Sequence, residues 1–187
     1  MRVCVYCSSS PTIHNKYLEL ATELGNAIGA KNWELVSGGG HISMMGAVAR
    51  GARASGGQTI GVIPQTLVDI EFADTDNHEL YVVDSMRKRK AMMEDLSDAF
   101  ITLPGGSGTL EELFEIWVGR FLNFHHKPVI ILDPFNFYAP LRDLLDYLER
   151  EGFVKPGQME LLHWSSTVEE ALLLCQSQPV APTNPNQ

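Results

Sequence analysis

Along nearly the whole chain, short runs of β-branched and apolar residues alternate with segments whose apolar positions recur every three to four residues. The runs read as strands at Val3–Cys7, Trp33–Ser37, Thr59–Ile63, Tyr81–Asp84, Ala99–Leu103 and Val129–Leu132. Among the helical segments, the first sets Tyr17, Ala21, Leu24 and Ile28 on one stripe. Others are predicted over Met44–Ser55, Met86–Ser97, Thr109–Phe124, Tyr138–Arg150 and Thr167–Cys175, the last opened by a capping box, Ser166-x-x-Glu169. Strands alternating with helices predict an α/β fold: a single Rossmann-like domain with a parallel sheet of about six or seven strands and helices on both faces. That domain occupies residues 1–175; residues 176–187 lack apolar bulk and are expected to be disordered. The stretch Pro64–Glu79 has no clear period. Open sheets of this kind bind ligands at the carboxyl ends of their strands, so chemistry is expected in the loops after the second, fourth and fifth strands.

Composition narrows the function. The chain has 187 residues, 44% hydrophobic and 20% charged, which is the make-up of one globular domain. Its 14 Lys+Arg against 23 Asp+Glu give a formal charge of −9, the wrong sign for a protein that coats nucleic acid or an anionic membrane. Any anionic ligand therefore needs a local positive site. No apolar run has membrane-spanning length and the first residues do not form a signal peptide, so a cytoplasmic location is expected. Three cysteines are an odd number for a disulfide framework. Cys4 and Cys7 lie in a strand with opposite facing, which favours small buried hydrophobes over a redox pair.

Two glycine loops follow strands and lead into helices: Ser37-Gly38-Gly39-Gly40, and Pro104-Gly105-Gly106-Ser107-Gly108-Thr109. Glycine allows close backbone approach and a helix start offers unpaired N–H groups, so the pair favours phosphate binding. Neither is a dinucleotide fingerprint or a P-loop. Arg87-Lys88-Arg89-Lys90 places four cations in the first turn of a helix, where the macrodipole disfavours them. Arg87 and Lys88 read as a solvated face, and Lys90 can pair with Glu94 at i,i+4. Arg89 shares the inward stripe of Met86, Met93 and Leu96, where it needs an anionic partner. Glu112 has two open readings: the end of a Thr109-x-x-Glu112 capping box, or a catalytic carboxylate. It lies with Ile116 and Gly119 on a second side of its helix, the pattern of an element packed on two faces, one of which could meet another subunit.

Met86-x-x-Arg89-Lys90 together with Pro104-Gly-Gly-x-Gly-Thr-x-x-Glu112 resembles the "lonely guy" (LOG) family of cytokinin riboside 5′-monophosphate phosphoribohydrolases, from the Val3–Cys7 start through Ser37–Gly40 and Met45-Gly46 to about Pro128. The resemblance implies Rossmann-like homodimers, or assemblies of dimers, that cleave the N-glycosidic bond of adenine nucleotides, often N6-modified, into free base and ribose 5-phosphate without metal or organic cofactor. It places the catalytic pair on Arg89 and Glu112 and the phosphate loop on Gly105, Gly106, Ser107, Gly108 and Thr109. Further substrate contacts fall on Glu71, Met86, Lys90, Gly39 and Gly40. Ser43, Arg87 and Ser85 depart from the family's frequent glycine, histidine and aspartate. Relatives often carry the label "lysine decarboxylase", yet no lysine here stands out as a pyridoxal Schiff-base residue.

The expected partner is a small nucleoside monophosphate. If Arg89 and Glu112 touch, the arginine is expected to keep the carboxylate ionised for charge stabilisation or water activation. Two other classes share these features: a carrier that binds nucleotide without turnover, and an NAD-linked enzyme, the latter weakened by the missing fingerprint.

Overall fold

The computed structural model describes residues 1–70, 72–155 and 157–177. Seven parallel strands are present among them: β1 (Arg2–Tyr6), β2 (Glu34–Ser37), β3 (Gln58–Pro64), β4 (Glu79–Val83), β5 (Ala99–Thr102), β6 (Val129–Leu132) and β7 (Leu162–Ser165), in the order β4-β3-β2-β1-β5-β6-β7. Six coincide with the strands read from the pattern. The seventh, Leu-His-Trp-Ser, escaped because two of its four residues, His163 and Ser165, are polar and it pairs only along β6. The sheet carries α1 (Asn15–Ala30), α2 (Ser43–Ala54), the short α3 (Gln65–Val68), α4 (Met86–Leu96), α5 (Ser107–Phe121), α6 (Ala139–Arg150) and α7 (Val168–Cys175).

Strand alternation sends the two faces of β1 into separate cores. Val3, Val5 and Cys7 pack with α1, α2 and α7, while Cys4 and Tyr6 pack with Met93 of α4, Leu113 and Trp117 of α5 and Leu145 of α6. Cys4 and Cys7 are free and buried, and desolvation pushes both thiols up, Cys4 to about 12, as inert hydrophobes require. The close seam between α1 and α2 depends on Gly25, where a Cβ would stand 2.1 Å from the Val48 carbonyl oxygen.

Two caps differ from the pattern. The box before α7 sits one residue later: Thr167 is the N-cap, its Oγ1 accepting from Glu170 N–H (3.2 Å), and Glu170 Oε2 accepts from Ser166 N–H (3.0 Å). α5 begins at Ser107 with Gly106 as N-cap, so Thr109 is already helical and Glu112 lies in the second turn. The capping reading of Glu112 therefore fails. Ile116 is buried within its own chain, so the second packed side of α5 does not by itself call for a partner subunit.

β1 is flanked by β2 on one side and β5 on the other, and connections leave in opposite directions from it. That switch point opens a crevice above the carboxyl ends of β1 and β5.

Candidate active site

A cavity of about 420 Å³ occupies this crevice. Its floor is the end of β1 and the loop Ser8-Ser9-Ser10; one wall is α4 with Met86, Arg89 and Met93; the other is the start of α5 with Gly106, Ser107, Gly108, Thr109 and Glu112. Gly38, Met45, Leu67 and Glu111 complete the lining.

The start of α5 has the features an anion needs. No side chain caps it, no acid stands in its first turn, and a Cβ at Gly106 or Gly108 would meet nothing, so a ligand has room to approach this backbone at the positive end of the helix dipole. Gly105 serves a different purpose: a Cβ there would fall 2.2 Å from Thr109 Oγ1, so glycine lets the threonine hydroxyl fold back beneath the loop.

Arg89 and Glu112 meet across the cavity. Arg89 Nη1 donates to Glu112 Oε1 at 3.1 Å and Arg89 Nε donates to the Val62 carbonyl at 3.1 Å, with side-chain exposures of 9% for Arg89 and 11% for Glu112. Gly38 makes room for the guanidinium, since a Cβ would stand 1.6 Å from Nη2. Gly39 takes a left-handed backbone (φ 72°) that turns the chain beneath it. The expectation that the arginine holds Glu112 ionised is not met. Burial raises the Glu112 carboxyl to about 7 and outweighs the opposing pull of Arg89; Glu111 adds to the rise and Lys90 opposes it. A carboxyl poised there can accept a proton near neutrality.

The four-cation turn is largely spent within the chain. Lys88 Nζ bonds Asp84 Oδ2 at 2.6 Å, and Lys90 Nζ is held by Glu111 and, at 2.6 Å, by Glu115 of α5 rather than by Glu94. Lys90, Gly39, Gly40 and Gly105 do not line the cavity, whereas Met86, Arg89 and Gly106–Thr109 do. Glu71 lies outside the described residues. The Ser8–Ser10 loop of the floor does not stand out in the hydrophobic pattern. Its position at the end of the strand beside the switch point was the available signal. Ser43 keeps the left-handed backbone (φ 53°) that the family's glycine would favour, and its Oγ donates to the Ser10 carbonyl at 2.6 Å, tying this loop to α2.

The chain matches the family described as "Possible lysine decarboxylase" over residues 45–175. It is 53% identical over 173 residues to the cytokinin riboside 5′-monophosphate phosphoribohydrolase of Mycobacterium tuberculosis, covering 92% of each chain. The protein of the same name from Mycobacterium marinum is 49% identical at the same coverage. Cytokinin riboside 5′-monophosphate phosphoribohydrolase LOG3 of Arabidopsis thaliana is 40% identical over 90% of this chain and 79% of its own. This chain belongs to the LOG family. Among solved structures, the molybdenum cofactor binding protein of Rippkaea orientalis superposes with a TM-score of 0.69 at 22% identity, covering 92% of this chain and 93% of its own. The molybdenum cofactor carrier protein of Chlamydomonas reinhardtii does so at 0.69 and 20%, with the same coverage. At that identity the likeness is one of fold. The decarboxylase description of the LOG family finds no support in this site: no lysine lines the cavity, so a pyridoxal aldehyde would have no amine to join.

Proposed function

We propose that this protein hydrolyses the N-glycosidic bond of an N6-modified adenosine 5′-monophosphate, releasing the free base and ribose 5-phosphate. The buried Arg89–Glu112 contact carries this reading, because it sets a carboxyl of near-neutral affinity one helical turn and a half beyond an open helix start. With the 5′-phosphate on the amides of Ser107, Gly108 and Thr109 and on the Thr109 hydroxyl, the ribose lies along α5 and C1′ comes beside Glu112. As the C1′–N9 bond breaks with its electron pair going to N9, the ionised carboxylate stabilises the ribosyl cation and takes a proton from the attacking water, whose oxygen bonds C1′; that proton passes on to the departing base, which leaves neutral, and Glu112 returns to its carboxylate. Arg89 holds Glu112 in place and offers its remaining N–H groups to the departing base. Met86, Met45 and Leu67 supply an apolar wall for the base. The relatives' names support this substrate class.

The decisive experiment is chromatography of products from a panel of nucleoside monophosphates. Free base and ribose 5-phosphate appear with wild type, and Glu112→Gln binds nucleotide without releasing base. Tight AMP binding with no base from any nucleotide would instead give a non-catalytic carrier. We further read the active protein as a cytoplasmic homodimer: Val118 of α5 and Leu122 at its C-cap are exposed apolar residues one turn apart, 39% and 50% open, as a subunit contact requires. Light scattering at micromolar concentration returns twice the 20.7 kDa chain mass if so.

A further inference from the structure

A buried ion pair outside the cavity ties down the segment between α3 and β4. Asp74 Oδ2 accepts from Arg53 Nη1, in the last turn of α2, at 3.1 Å, with side-chain exposures of 6% for Asp74 and 17% for Arg53. Its other oxygen accepts from Asp76 N–H at 3.2 Å. The backbone around it clasps the glycine turn after β2: Asp74 N–H donates to the Gly39 carbonyl at 2.7 Å, His41 N–H donates to the Phe72 carbonyl at 3.0 Å, and Gly40 and Ala73 form an antiparallel bridge. This turn begins with Gly38, whose bare Cα is what Arg89 Nη2 lies against. A continuous set of contacts thus runs from Arg53 and Asp74, neither of which lines the cavity, through Gly39 and Gly38 to Arg89 and Glu112.

We propose that Asp74, anchored by Arg53, is a positioning residue for base release: it fixes the Gly38–Gly40 turn and thereby the place of Arg89 against Glu112. This rests on the phosphoribohydrolase reading of the cavity. A charge pair suits the task because removing either partner leaves the other buried and unpaired, so the segment lets go when one is lost. None of the clasp's hydrogen bonds reaches Ser107–Thr109, where the phosphate is placed. Loss of Asp74 is therefore felt in the chemical step more than in nucleotide binding.

The test compares Asp74→Asn, Arg53→Gln, their double variant and Arg53→Lys, with Leu145→Ala, a core change on α6, as a control for lost stability. Asp74→Asn and Arg53→Gln lower kcat on an N6-substituted AMP about tenfold or more while KM stays within about threefold, since a small misplacement of a catalytic group is enough for that. The double variant is no worse than either single one, and Arg53→Lys, which keeps the charge, restores most of kcat. Leu145→Ala lowers the melting temperature with kcat per folded molecule unchanged. A kcat within about twofold of wild type in folded Asp74→Asn, or in Arg53→Gln where the first does not fold, overturns the proposal. Should wild type release no base, the functional reading falls by itself. The ionisation of Glu112, followed through its carboxyl carbon resonance, then still reads the contact with Arg89: a shift in Asp74→Asn or Arg53→Gln but not in Leu145→Ala sustains the positioning role, and no shift ends it.

Discussion

Glu112→Gln changes not only turnover but the way stability depends on pH, and the size of that change follows from the site. Burial holds the Glu112 carboxyl at about 7 in the folded chain against an ordinary value of 4.5, the pull of Arg89 notwithstanding. The folded state therefore binds this proton more tightly than the unfolded state does. Its contribution is fully present below 4.5, is lost as pH rises from 4.5 to about 7, and is flat above that. A displacement of that size corresponds to about 3 kcal/mol. Glutamine keeps the shape and an acceptor for Arg89 Nη1 but cannot titrate, so any fixed cost of leaving Arg89 without a counter-charge offsets the variant's curve without bending it. Urea denaturation at intervals from pH 5 to 8.5 supplies both curves. Relative to Glu112→Gln, wild type is expected to lose about 2 to 3 kcal/mol across that range, most of it before pH 7. A constant difference between the two proteins would show that Glu112 is already ionised at pH 5 and that Arg89, not burial, governs it. The water-activating role would then have no poised carboxyl behind it.

Three further outcomes follow from named contacts. Base release by wild type rises with pH through about 7 and levels above it, because the ionised carboxylate is the working form; kcat/KM measured from pH 5.5 to 9 reads this limb. Gly38→Ala puts a Cβ 1.6 Å from Arg89 Nη2, so the guanidinium must leave Glu112 or Val62, and kcat falls on the order of a hundredfold in steady-state assays with AMP binding retained. Gly25→Ala drives a methyl to 2.1 Å from the Val48 carbonyl and forces α1 from α2 at a cost of about 3 kcal/mol in urea denaturation, with turnover per folded molecule unchanged.

Much of the architecture was legible because hydrophobic period and burial coincide in it. Five of the six strands read from the pattern are buried along most of their length, β4 being the exposed edge strand, and the inward place of Arg89 followed from its sharing a stripe with Met93, which is fully buried. What was not legible depended on where a chain turns. Thr109-x-x-Glu112 has the letters of a capping box, but a glycine pair lets α5 start two residues earlier, which moves Glu112 from a cap to the wall of a cavity. Lys90 has an acid four residues on, yet α5 presents two acids across the gap between helices, and spacing along one helix says nothing of a second. Arg53 ends a predicted helix and Asp74 stands 21 positions on, in the stretch without period, and only tertiary packing brings them together.

The acidity of the whole chain and the anion site are reconciled by how few side-chain charges the site uses. Of the four cations in the first turn of α4, Lys88 and Lys90 are bound to acids of this chain and Arg87 is exposed. Arg89 alone is held in the cavity, and its charge is already shared with Glu112. On the proposed reading the phosphate is met chiefly by backbone amides and a helix dipole, which neither titrate nor attract polyanions at long range. Such a site takes one phosphate at contact distance while a chain of formal charge −9 repels nucleic acid. It also leaves Arg89 free of the anchoring task. The same guanidinium can then act on the carboxylate that does the chemistry, which is why the geometry that holds it, from Gly38 back to Asp74, matters for rate more than for binding.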